Sequence, residues 1–278
     1  MNSRTMRVTW ALVRDTFREA LARKIFWGFI GCSTLLILFF LFIMRVDVAE
    51  GAMATISLFG NTSRGEDVNR LVHQVHGAIA AFLYTAGMFL AVFASAGLIP
   101  SVFEPGRIEL LLSKPVPRHH ILLGRYLGNL AVIAANIFYL VIAIWLIFGI
   151  KTGVWTYGFL LSSVLTLYVF AVLLTVVILV AVFTESTVVA TMVTFGIMLI
   201  SPILAQQGVL DRLLSSQWSR SMVHGLYYAL PKVFDLGAIS RRLVLGDPMG
   251  SWMPLWSSAI FGLVVLATSL YAFERRNY

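Results

Sequence analysis

The charged stretch FEPGRIELLLSKPVPRHHILLGR, residues 103–125, interrupts a chain that is otherwise strongly apolar. It lies between two uncharged runs, 77–100 and 126–150, and each is long enough to cross a hydrocarbon core of about 30 Å as a helix. Its first half, Glu-Pro-Gly-Arg and then Ile-Glu-Leu-Leu-Leu, indicates a turn followed by a short helix with its charges on one side. Lys-Pro-Val-Pro then predicts an extended break, because each proline disfavours helix in the residue before it. We therefore expect a water-facing loop between two membrane spans.

Composition indicates a membrane protein. Of the 278 residues, 59% are hydrophobic and 12% are charged, which is about half the usual charged share. The net charge is +8, but the basic residues concentrate at the ends of apolar runs, which favours contact with membrane lipids over nucleic acid. The single cysteine, Cys32, lies inside an apolar run, so the chain has neither an internal disulfide nor a cysteine cluster for a metal.

Six apolar runs without Asp, Glu, Lys, Arg or His predict six transmembrane helices. They are residues 25–44, 77–100, 126–150, 157–183, 187–205 and 252–273. Before them, residues 7–24 carry Trp10, Val13, Phe17 and Leu21 at helical spacing, which predicts an amphipathic elbow helix in the membrane interface. The predicted fold is an all-α integral membrane protein of six spans, forming one domain over residues 1–278.

Charge distribution predicts the orientation. Six spans place both termini and loop 101–125 on the same side of the membrane. These segments together contain 12 of the 21 lysines and arginines. Cytoplasmic segments normally carry the excess of basic residues, so the termini and this loop are expected to be cytoplasmic. Glu185, in the three-residue connection 184–186, would project on the same side. The long connection 206–251 would be extracytoplasmic, and its aromatic and basic residues indicate interfacial helices.

The chain carries no recognisable catalytic chemistry, so we expect it not to be an enzyme. Its predicted spans lack ionisable groups, which ion-driven carriers generally need at membrane depth. It has no Gly-Lys dipeptide and hence no phosphate loop of the Gly-Lys-Ser/Thr type, so energy is expected to come from another polypeptide. The histidines His73 with His76, His119-His120 and His224 come without an added cysteine or carboxylate cluster, so we expect no metal site.

The charged stretch resembles the first cytoplasmic loop of ABC-2 type transporter permeases. The resemblance is carried by Glu104, Gly106, Leu110 to Leu112, Pro115, Arg118 and Leu123-Gly124-Arg125. The elbow helix, ending in Arg-Glu-Ala-Leu-Ala-Arg-Lys, is similar to the one before the first span of these permeases. A second segment, Leu-Tyr-Tyr-Ala-Leu-Pro-Lys-Val-Phe-Asp at 226–235, resembles the subgroup that includes multicopper-enzyme maturation permeases.

The resemblance implies the permease subunit of an ATP-driven exporter in the cell (plasma or inner) membrane of a bacterium. It also implies a separate nucleotide-binding ATPase subunit that binds ATP and Mg, and a second permease copy, either identical or a paralogue. Loop 101–125 would contain the coupling helix, whose charges pair with the ATPase while its leucines pack into a groove. The expected contact residues are Glu104, Gly106, Arg107, Glu109, Leu111, Pro115, Arg118 and Glu185.

Three alternatives stay open at this point. The charged stretch is also compatible with an ordinary basic loop that only fixes topology. The whole chain is compatible with a carrier driven by an ion gradient, in which carbonyl and hydroxyl groups bind sodium. It is also compatible with a membrane assembly factor that transports nothing.

Overall fold

The computed structural model describes residues 14–19, 21–22, 24–42, 45–49, 53–58, 61–97, 118–214 and 216–275. These residues are mainly helical. The helices are α1 (Lys24–Phe42), α2 (Val68–Phe82), α3 (Met88–Ala96), α4 (Arg118–Thr152), α5 (Tyr157–Thr184), α6 (Thr187–Ala205), α7 (Gln207–Leu213), α8 (Gln217–Ala229), α9 (Val233–Leu245) and α10 (Met253–Arg275). A π-helical turn, Leu83–Gly87, joins α2 to α3 without a break.

Five helical stretches are long and apolar enough to cross a membrane. They are Asn69–Ser95, His119–Thr152, Tyr157–Thr184, Thr187–Ala205 and Met253–Arg275. Phe26–Phe42 is a sixth, shorter apolar helix. At 1.5 Å per residue it extends about 25 Å, close to the hydrocarbon thickness of a bilayer. The predicted all-α membrane fold is confirmed, and each predicted span corresponds to one of these helices.

Two helices begin earlier than the predicted spans. Residues 118–125, predicted as part of the loop, are helical and form the first two turns of α4. After the break at Pro117, no proline interrupts the chain until the far end of α4, so nothing stops the helix from starting there. In the same way α2 begins at Val68, because Leu71, Val72 and Val75 extend the apolar face of the helix towards its start.

A small antiparallel sheet fills the connection between α1 and α2. Its strands are β1 (Arg45–Ala49), β2 (Met53–Leu58) and β3 (Asn61–Asp67), in the order β1-β2-β3. Ser57 on the middle strand pairs with Arg45 on one side and Thr62 on the other. The mixed and polar residues of this region indicate only a connection between two spans, so the sheet is not predicted. The sheet is confined to that connection, so the six apolar segments remain helical.

The core is built around α5. This helix is apolar on all sides and packs against α4, α6, α9 and α10, as expected of a helix that lies inside a bundle. Gly158, in its first turn, lets α9 come close, since a Cβ there would overlap the carbonyl oxygen of Leu243. The last turn of α9 therefore lies directly against the first turn of α5.

Candidate functional site

Several chain segments meet at one end of the bundle. The end of α3 meets the beginning of α4, where Asn129 Nδ2 donates to the Ser95 carbonyl oxygen at 3.3 Å. The beginning of α4 also meets the end of α10, where His119 Nδ1 lies 2.7 Å from Glu274 Oε1. Residues 98–117 connect α3 to α4 in sequence, so both ends of that segment lie at this end. We term this end of the bundle the loop-bearing face.

The turn between α5 and α6 belongs to the same face. Tyr168 Oη donates to the Leu255 carbonyl oxygen at 2.6 Å, and four residues further along α5 the Val172 side chain lies against Gly262. Helices α5 and α10 therefore run parallel. Because α10 ends at the loop-bearing face, α5 also ends there, and Glu185 follows it directly.

The turn itself is tight. Glu185 has a left-handed backbone (φ 53°, ψ 11°), and its N–H donates to the Ala181 carbonyl oxygen at 2.9 Å. Ser186 is the N-cap of α6, with Oγ accepting from the Val189 N–H at 3.4 Å. These two caps stop one helix and start the next within a single turn. The Glu185 side chain is exposed at the tip.

The N-terminal segment packs against the beginning of α4. Residues 14–19 and 21–22 are helical. Arg125, which is only 3% exposed, forms an ion pair with Glu19 and lies 3.7 Å from Asp15. Thr16 packs so closely on Gly128 that a Cβ added there would lie 2.5 Å from Thr16 Cβ. The segment therefore joins the group of elements at the loop-bearing face.

The predicted coupling residues divide into two groups. Arg118 is the first residue of α4 and Glu185 is the tip of the α5–α6 turn, so both lie at the loop-bearing face. The other six, Glu104, Gly106, Arg107, Glu109, Leu111 and Pro115, lie outside the described residues, as do residues 7–13 of the predicted elbow. Their contacts stay a prediction.

The junction between α8 and α9 is held by more partners than the sequence indicates. The ammonium of Lys232 donates to the Tyr227 carbonyl oxygen at 3.1 Å and lies 4.4 Å from the centre of the Tyr227 ring. Tyr227 Oη donates to Asp235 Oδ2 at 2.7 Å. Burial raises the pKa of the Tyr227 phenol, and the bond to Asp235 adds to this effect. Burial lowers the pKa of the Lys232 ammonium, while Asp235 opposes that shift. Within the motif at 226–235, Tyr227, Lys232 and Asp235 thus form one local network of polar contacts.

The same junction inserts the start of α9 into the bundle. The Lys232 N–H donates to Ser258 Oγ of α10 at 3.0 Å, and the Phe234 N–H donates to Ser201 Oγ of α6 at 3.0 Å. Tyr84 Oη, from the π-helical turn, donates to the Val233 carbonyl oxygen. Hydroxyl groups of three neighbouring elements therefore satisfy backbone groups at the helix start. Connection 206–251 is helical as predicted, but its last helix is packed against the core.

A buried histidine lies at the opposite end of the bundle. His76 is fully buried in α2, with Nδ1 2.6 Å from Thr156 Oγ1 and its ring stacked on Phe159 at 4.4 Å. Its Nε2 is buried and has no hydrogen-bond partner among the described residues. His76 lies just before the second predicted span, 77–100. The apolar residues at i−4 and i−1, Val72 and Val75, are the signal that extends the buried face to it.

Comparison with known proteins identifies a family. Residues 10–278 match the family model described as ABC-2 family transporter protein. No curated protein matches the chain in sequence. The match confirms the predicted family resemblance over nearly the whole chain, while the copper-enzyme maturation subgroup stays a prediction.

Proposed function

The chain belongs to the ABC-2 transporter family, and on this premise we propose that it is the permease subunit of an ATP-driven exporter. As a family member it is a membrane permease of an ABC transporter. The finer proposal is that a separate nucleotide-binding subunit docks on the loop-bearing face, binds ATP and Mg, and drives the helices. A second permease copy would complete the pathway, in a bacterial cell membrane with both termini cytoplasmic.

One observation carries this proposal. The helices on either side of residues 98–117, the α5–α6 turn with Glu185 and the end of α10 all lie at one face. An ATPase that docks there would contact several helices at once. Because α5 packs against α2, α3, α4, α6, α9 and α10, a displacement of its end would reach most of the bundle.

The N-terminal segment supports the same proposal. A movement of loop 101–125 would pull on the first turns of α4, and Arg125 links those turns to Glu19. The ion pair is largely shielded from water, so salt screens it less than an exposed pair. The elbow, α4 and the loop would therefore move as one unit under the ATPase.

A specific observation favours a second candidate, a proton-driven carrier. His76 places an ionisable group inside a candidate membrane span, with one ring nitrogen free of hydrogen bonds. Ionisable groups at that depth often belong to proton pathways. Against this, the ring is enclosed between Phe148 and Phe159. The variant His76→Gln separates the two functions, because it would abolish proton-driven transport and leave ATP-driven transport working in a protein that still folds.

The coupling loop is tested by purification of the tagged chain in mild detergent after crosslinking in its own membranes. The variant carries Glu104→Ala, Arg107→Ala, Glu109→Ala and Leu111→Asp, and the matched control carries Arg70→Ala and Arg212→Ala on other segments. We expect an ATP-binding protein with the wild type and the control, and its loss from the correctly folded loop variant. Association that survives in the loop variant, or an absent ATPase in all three, contradicts the proposal.

A further inference from the structure

A cavity of about 490 Å³ lies between α2 and α9, away from the loop-bearing face. One part of its wall is apolar and includes Ala81, Tyr84 and Phe234. Another part is polar and includes Ser240, Arg241 and Arg242. The cavity therefore offers one apolar and one polar surface, which suits an amphiphilic ligand.

The packing of the two helices fixes which end is deeper. Gly237 lies against the Tyr84 ring, whereas Leu245, two turns further along α9, lies 3.9 Å from a Cβ placed on Gly77. The helices are thus antiparallel, and α9 runs back towards the end of the bundle where α2 begins. Phe234 is at the deep end of the cavity, and the arginines are nearer the outer end.

Aromatic residues mark the depth of the arginines. Leu243, one residue after Arg242, packs against Gly158 in the first turn of α5. Next to that turn, Trp155 and Tyr157 are exposed, at 42% and 66%. Exposed Trp and Tyr at the end of a membrane span mark the level of lipid headgroups. Arg241 and Arg242 therefore lie close to the level at which lipid phosphates are found.

The polar end of the cavity lacks protein partners. Arg241 and Arg242 are exposed, and within the part of the chain that the structure describes neither guanidinium forms an ion pair or a hydrogen bond. The Ser240 hydroxyl is buried, at 2% residue exposure, and has no hydrogen-bond partner. Asp247 also lines the cavity, so two positive charges face one negative charge. A buried hydroxyl without a partner and unpaired arginines are the groups that a phosphate would satisfy.

We propose that this cavity binds an acidic phospholipid of the bilayer. The phosphate binds Arg241 and Arg242, with the Ser240 hydroxyl as a further donor. An acyl chain lies along Ala81, Tyr84 and Phe234, towards the membrane interior. The order of the groups, basic at the headgroup level and apolar below it, matches the orientation of a lipid in a bilayer. The site does not depend on the ATPase partner, so it stands or falls separately from the proposed coupling.

The test is native mass spectrometry of protein reconstituted in vesicles of equal parts phosphatidylglycerol and phosphatidylcholine, then released into detergent. Wild type should retain phosphatidylglycerol in preference to phosphatidylcholine. The variant Arg241→Gln with Arg242→Gln should retain about thirtyfold less, the order of effect expected for two arginines near anionic lipid. The matched control, Arg70→Gln with Arg212→Gln, loses the same charge from exposed positions outside the cavity and should retain lipid like wild type.

A second variant separates the cavity from its charge. Ala238→Trp keeps both arginines but fills the cavity, and it should also lose the lipid. Photoactivatable phosphatidylglycerol, crosslinked to wild type, should label peptides of α2 and α9 without any substitution. Equal retention of the two lipids, equal loss in the charge control, or labelling elsewhere overturns the proposal. Crosslinking of Arg242→Cys to a second copy in place of lipid would identify the cavity as a permease–permease contact and also overturn it.

Discussion

Arg125 in α4 is buried against the N-terminal segment, where it forms an ion pair with Glu19. Arg125 is two turns after the beginning of α4, where the segment 98–117 joins the helix. The Arg125–Glu19 ion pair, which is largely shielded from water, thus joins the N-terminal segment to α4, the helix that follows the charged loop. This pair makes the elbow part of the face on which we expect an ATPase to dock.

Breaking this pair should destabilise the protein. Arg125→Met removes the buried cation of the ion pair with Glu19, whose side chain is only 17% exposed. We expect a loss of about 2 to 3 kcal/mol in the free energy of unfolding, since breaking a buried pair costs more than an exposed one. Asp15→Asn is the matched control, because Asp15 is 64% exposed and 3.7 Å away. Its effect should stay below about 1 kcal/mol. Thermal unfolding in detergent measures the stability of both variants. Equal losses of stability would contradict a buried Arg125–Glu19 pair.

The close approach of α9 and α5 gives a second prediction. Gly158→Ala places a methyl group on the Leu243 carbonyl oxygen, so α9 must shift. We expect a loss of more than about 2 kcal/mol, the range of overpacked contacts. Gly196→Ala lies in the middle of α6 with nothing within 4 Å of the new Cβ, and should gain about 0.5 to 1 kcal/mol from helix propensity. Thermal unfolding should move in opposite directions for the two variants, and a harmless Gly158→Ala contradicts the packing of α9.

A third prediction concerns the hydroxyl that holds the start of α9. Tyr84→Phe removes the donor to the Val233 carbonyl oxygen and leaves the ring in place. The expected cost is about 1 kcal/mol, the usual value of a buried hydrogen bond. Tyr157→Phe removes an exposed hydroxyl and should change stability by less than about 0.5 kcal/mol. Thermal unfolding in detergent measures both variants. An equal loss of stability in Tyr84→Phe and Tyr157→Phe would contradict a stabilising hydrogen bond from Tyr84 to Val233.

The turn between α5 and α6 separates stability from coupling. Glu185 has a left-handed backbone, which glycine adopts more readily than glutamate. Glu185→Gly should therefore stabilise the protein by about 1 kcal/mol. If the Glu185 carboxylate contacts the ATPase, the same variant should lower ATP-driven transport. Glu185→Asn, which tolerates the same backbone, is the control for loss of charge alone. Unfolding and vesicle transport assays together test this, and unchanged transport in both variants argues against a coupling role.

The spans could be predicted from the sequence because the hydrocarbon core imposes a length and excludes charge. The run 157–183 is uncharged, and the structure has α5 at Tyr157–Thr184. The three-residue connection at 184–186 could also be found, since no other residues separate two apolar runs. Both features depend on local composition.

The rest depends on partners that are far apart in sequence. Nothing near Lys232 indicates that Ser258 caps the start of α9, or that Tyr84 reaches Val233 from a π-helical turn. The predicted second span begins only after His76, because the spans are defined by runs without ionisable residues, although one face of that helix is apolar. The sequence indicates only that Arg241 and Arg242 are interfacial residues, because the other wall of their cavity comes from α2, far away in the chain.

Site-specific photocrosslinking can show whether an ATPase docks on the loop-bearing face. p-Benzoylphenylalanine would replace Glu185 at this face and, as the matched control, the exposed Trp252 at the opposite end of the bundle, just before α10. Crosslinked products from native membranes would be probed with an azido-ATP label and identified by mass spectrometry. We expect an ATP-binding protein to be crosslinked from position 185 and none from position 252. An ATP-binding protein crosslinked from position 252 alone, or from neither position, would contradict it.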